Sequence, residues 1–65
     1  MKAKDIEVGK FYTIWNGGTF NVKVEEKKGL FFKRFVCSYS MCGEKSTIEV
    51  ISGNFVKEIK WRNNN

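Results

Sequence analysis

Cys37 and Cys42 are the only cysteines of this chain, and no histidine accompanies them. Thiols at this spacing, on either side of a turn, can form a bridge if their Cα atoms come within about 7 Å. The competing reading is two reduced, partly buried small side chains, the ordinary state of cysteine in a reducing compartment. That second reading is adopted. Two thiolates fill only half of a tetrahedral zinc shell, so no metal site is expected. The missing histidine also removes the commonest general base near neutral pH.

The carboxylates are Asp5, Glu7, Glu25, Glu26, Glu44, Glu49 and Glu58. Acid–base catalysis needs a carboxyl group displaced from its usual pKa by burial or by a neighbour. The seven form no obvious pair in an apolar setting. Glu25-Glu26 leads directly into Lys27-Lys28, which reads as a solvated, charge-balanced turn. Gly17-Gly18 lacks the Lys-Ser/Thr ending and the following helix of a phosphate loop. No nucleophile is spaced for an adjacent base. The chain therefore reads as a non-enzyme without a cofactor.

Basic and aromatic residues are the remaining chemical signal. Twelve Lys/Arg stand against seven Asp/Glu, for a net charge of +5. Ten aromatic residues, six Phe, two Tyr and two Trp, are spread among them. Period-2 alternation points Lys23 outward, Lys27 and Lys28 extend that side into a turn, and Lys33 and Arg34 return from it. Phe11 and Trp15 share one strand face, opposite Tyr12 and Ile14. Trp61 lies near the C-terminus. Cations beside exposed aromatics suit single-stranded nucleic acid, where each stacked base contributes about 1–3 kcal/mol and the cations follow phosphates. The candidate contact residues are Phe11, Trp15, Lys23, Lys27, Lys28, Lys33, Arg34 and Trp61. Three plainer roles compete: a solvated strand face, aromatics packed under loops or the N-terminal segment with Trp61 as a lid, and charge that serves solubility. An acidic protein surface is the alternative partner, met by an apolar patch drawn from Phe11, Trp15, Phe32 or Trp61. An exposed edge strand could also pair two copies into a homodimer.

These side chains must be positioned by strands. Five alternating runs, Lys10–Trp15, Thr19–Glu26, Leu30–Ser40, Ser46–Ile51 and Phe55–Trp61, fill most of the 65 residues. Turns separate them, and the spacing predicts one small antiparallel five-stranded β-barrel, closed or nearly so. Asn16-Gly17 predicts a tight hairpin with both central residues at positive φ. Strand three carries aromatics and a charge on both faces, which predicts a bulge or bend near Lys33-Arg34. Lys2–Val8 is a polar lead with Ile6 and Val8 as apolar anchors. The whole chain is one domain with a frayed tail at 62–65. A domain this short buries only about 60% of its unfolded surface, so its stability margin is thin. No apolar run approaches the ~20 residues that span a bilayer. The polar start resembles no signal peptide, so a cytoplasmic location without membrane contact is expected.

The pattern resembles the SH3-like small barrels, which include Tudor-type and KOW-type modules. The carrying residues are Val8-Gly9-Lys10-Phe11-Tyr12, Val22-Lys23-Val24, Ile48-Glu49-Val50 and Asn54-Phe55-Val56-Lys57-Glu58-Ile59, within about residues 6–61. The resemblance implies a short 3₁₀ turn before the last strand and a binding role. It does not imply a target, because such barrels carry nucleic-acid and protein binders alike. The lysine- and asparagine-rich, proline-free composition is also similar to small stand-alone proteins of bacteriophages and mobile elements. That similarity implies, as the alternative function, an inhibitor or adaptor of a host protein.

Overall fold

Alternating apolar and polar residues let a strand bury one face and wet the other. Five segments do so in the computed structural model, which describes residues 1–30 and 33–60. They are β1 (Phe11–Trp15), β2 (Thr19–Lys28), β3 (Arg34–Met41), β4 (Glu44–Ile51) and β5 (Phe55–Ile59). All neighbours are antiparallel, in the order β4-β3-β2-β1-β5. Short 3₁₀ turns precede β1 at Ala3–Asp5 and β5 at Ser52–Asn54. The all-β, antiparallel, five-stranded expectation holds. Among the described residues no helix is long and apolar enough to cross a membrane.

The sheet curls without closing into a barrel. No ladder joins β4 to β5 among the described residues, which corrects the expected barrel. A side chain serves the seam instead: the Asn54 amide accepts the Ile51 N–H at 3.1 Å and donates to the Trp15 carbonyl at 2.8 Å. The curl is visible in the core. Phe35 on β3 and Phe55 on β5 are separated by two strands in the sheet order, yet their ring centroids lie 5.2 Å apart. Tyr12 meets Phe55 edge-on at 5.3 Å. Ile6, Ile14, Val22, Val24, Cys37 and Val50 complete the buried interior.

The N-terminal lead is tied to this core. Ile6 is fully buried, and the Tyr12 hydroxyl accepts the Glu7 N–H at 2.8 Å. The Met1 ammonium donates to the Phe55 carbonyl at 3.2 Å. Val8, expected as a second anchor, is instead 54% exposed. It sits in the turn at Val8-Gly9, where Gly9 takes φ +90° and its N–H bonds to the Val24 carbonyl.

Four local expectations need correction. The β1–β2 loop spans Asn16 to Gly18 as expected, closed by Trp15↔Thr19, but its positive φ values fall on Gly17 and Gly18 and not on Asn16. β2 runs on to Lys28, which pairs with Arg34, so β3 starts at Arg34 and not at Leu30. The β3–β4 turn tightens to Cys42-Gly43 between paired Met41 and Glu44. Finally, the bulge lies on β2 at Glu25, not near Lys33-Arg34. Its cause is arithmetical. Core residues Phe35 and Cys37 are two apart on β3, while their partners Lys27 and Val24 are three apart on β2. One extra residue on β2 absorbs the mismatch. Phe32, a candidate for the apolar contact patch, lies outside the described residues, as does the tail at 62–65.

Candidate binding groove

The β2–β3 ladder stops at Lys23↔Ser38. Beyond that pair, β2 continues to Thr19 beside β1, and β3 continues to Met41 beside β4. The two hairpins therefore diverge. Between them opens a groove of about 490 Å³. Its apolar lining includes Phe11, Phe20, Tyr39 and Met41, and its charged lining is Lys23, Lys45 and Glu25. Phe20 and Tyr39 touch across the gap, ring centroids 5.2 Å apart, and pack on the core. Phe11 faces Lys23 across the β1–β2 ladder, and the Lys23 ammonium lies 6.0 Å from the Phe11 ring centre. Lys45 is brought in by its pairing with Ser40.

The bulge sets the polar centre of this groove. As the extra residue of β2, Glu25 turns its carboxylate toward β3, and Oε2 accepts the Ser38 hydroxyl at 2.5 Å. Ser38 is 6% exposed, so this bond supplies the partner that a buried hydroxyl requires. The Ser38 hydrogen bond holds the Glu25 carboxyl below its usual pKa; desolvation opposes it, and the charges of Lys23 and Lys45 each add a lesser downward push. Glu25 is therefore ionised at neutral pH. Among the described residues no three His, Cys, Asp or Glu side chains come together as metal ligands would.

The predicted contact residues divide into groups. Phe11 and Lys23 meet at the groove. Lys28 and Arg34 pair at the far end of the β2–β3 hairpin, five residues from Lys23, or about 17 Å along the strand. Lys33 is exposed in the adjoining loop. Lys28 also bonds Glu49 at 3.7 Å. Lys27 was expected on the same side as Lys28, but the bulge turns it to the core side, opposite Phe35. Trp15 stands at the other end of β1, 57% exposed. Trp61 lies outside the described residues. Sequence reading missed Phe20, Glu25, Ser38, Tyr39, Met41 and Lys45. Lys45 looked like a turn residue, and only the β3–β4 register brings it opposite Ser40.

Cys37 and Cys42 are both free thiols. Cys37 points into the core and Cys42 is exposed in the turn. No protein-family model, no curated protein and no solved structure matches this chain.

Proposed function

We propose that this domain is a non-enzymatic module that binds single-stranded nucleic acid in the groove between its two hairpins. The observation that carries the reading is the coincidence of Phe20, Tyr39 and Met41 with Lys23 and Lys45 around one 490 Å³ opening. An apolar, aromatic bed receives a base, and flanking ammonium groups receive phosphates. Lys33 and Arg34, which make no ion pair with a described carboxylate, extend the cationic surface at the far hairpin end. Five antiparallel strands with a 3₁₀ turn directly before the last one support an SH3-like reading of the fold. A protein partner is the second reading. It is favoured by Trp15, Ile51 and Val56, each more than half exposed, around the Asn54 corner.

Fluorescence anisotropy with a labelled mixed-sequence single strand tests the proposal. Binding is expected at about 50 mM salt, with a slope of log affinity against log salt near −0.7 per phosphate contacted. Lys23→Ala with Lys45→Ala should flatten that slope by about 1.4 and weaken binding about tenfold, with an unchanged circular dichroism spectrum. No binding of DNA or RNA at low salt overturns the reading.

A further inference from the structure

We propose that the groove selects nucleobases carrying an exocyclic amino group, with the Glu25 carboxylate as the acceptor. This rests on the nucleic-acid reading and deepens it. The observation behind it is an anomaly. Among the charged residues that line the groove, Glu25 stands beside Lys23 and Lys45, which would serve phosphates. A carboxylate repels a phosphate, and satisfying the Ser38 hydroxyl uses only one of its two oxygens. Nor is Glu25 a side chain that merely drifts there. The β2 bulge inserts it, and Ser38 Oγ holds Oε2 at 2.5 Å. The second oxygen, Oε1, receives no hydrogen bond from a described residue, and the side chain is exposed.

An ionised carboxylate accepts hydrogen bonds and cannot donate them. Its complement on a nucleobase is an N–H edge. The amino group of cytosine is a free two-hydrogen donor, the edge that Glu and Asp accept from in duplex DNA. Adenine and guanine also carry amino donors. Uracil and thymine instead offer one ring N–H flanked by two carbonyl oxygens, whose lone pairs face the carboxylate. The groove therefore discriminates by repulsion as well as by attraction. In this arrangement Phe20, Tyr39 and Met41 form the apolar bed, Lys23 and Lys45 receive the flanking phosphates, and Glu25 reads the base edge.

Cytosine and uracil have nearly the same shape and differ at that edge, so labelled oligo(dC) and oligo(dU) of equal length are the probes. Oligo(dC) is expected to bind about tenfold tighter at equal salt. Glu25→Gln keeps an acceptor for Ser38 but removes the charge and adds a donor. It should raise oligo(dU) affinity and reduce the preference to about twofold or less. Amide shifts of Glu25 and Ser38 in ¹⁵N–¹H spectra should move with oligo(dC) and much less with oligo(dU). Equal binding of the two strands by the wild type, or a preference that survives Glu25→Gln, overturns the selectivity and leaves the nucleic-acid reading standing. Failure of both strands to bind at low salt overturns both.

Discussion

At the scale of single residues, Cys37 shows how one buried group couples the fold to pH. Its side chain is fully buried on the inner face of β3. Burial, with a smaller push from the Glu25 charge, raises its thiol from 9.0 to about 11. In the unfolded chain the thiol ionises at its ordinary value. The folded state therefore holds more protons between pH 9 and about 11, and stability falls as pH rises through that window. The full loss is of order 2 kcal/mol by the upper end. Thermal unfolding between pH 8 and 10.5 should show a steeper decline for the wild type than for Cys37→Val, which keeps an apolar side chain of similar size. Parallel slopes would mean that the thiol is wet. A thiol-alkylating reagent gives a second check. Exposed Cys42 should react promptly at pH 8, and Cys37 only after denaturant is added.

At the scale of elements, the β3–β4 hairpin carries an unfavourable residue at its tip. Cys42 takes φ +55° and Gly43 φ +82°. Two positive φ values are what a two-residue type I′ turn requires, and Asn-Gly is its preferred pair. A cysteine side chain in the left-handed region is strained, whereas asparagine visits it routinely. Cys42→Asn should therefore raise stability by about 0.5–1 kcal/mol, read as a higher urea midpoint at unchanged slope. A neutral or destabilising result would mean that the thiol makes a contact worth more than the strain. This turn also marks the reach of sequence reading. Alternation revealed that the strands exist, because Tyr12/Ile14, Val22/Val24 and Ile48/Val50 repeat with period two. Asn16-Gly17 located the hairpin and its loop but misjudged the φ of Asn16, since Gly17 and Gly18 take the positive values. The bulge at Glu25 was invisible because it exists only in relation to β3. No single strand's pattern reveals that its partner is one residue shorter. For the same reason half of the groove was legible. Phe11 and Lys23 face each other across a hairpin whose register the turn nearly fixes. Ser38 and Lys45 enter through the β2–β3 and β3–β4 registers, which no single strand's pattern reveals.

At the scale of the whole molecule, a folded chain of 65 residues has a stability of about 3–10 kcal/mol. Among the described residues nine buried apolar side chains supply the interior, and one of them, Ile6, comes from outside the sheet. The curled sheet has an open end near Tyr12, and the lead segment covers it. Ile6 fills the space while Tyr12 Oη takes the Glu7 N–H and donates to the Asp5 carbonyl at 3.4 Å. The lead is thus part of the fold, although its polar composition makes it look like a dispensable arm. Removing a buried isoleucine to alanine typically costs about 2–5 kcal/mol, because the transfer term is lost and a cavity remains. That is a large share of the total, so Ile6→Ala should unfold at a much lower urea midpoint than the wild type. Val8→Ala, two residues on at a site 54% exposed, should stay within about 0.5 kcal/mol of the wild type. Urea unfolding of the two variants measures the contrast, with equal slopes required for the comparison. If Ile6→Ala unfolds at the same midpoint as Val8→Ala, the lead does not cover the core. The sheet would then have to be stable with one end exposed to water.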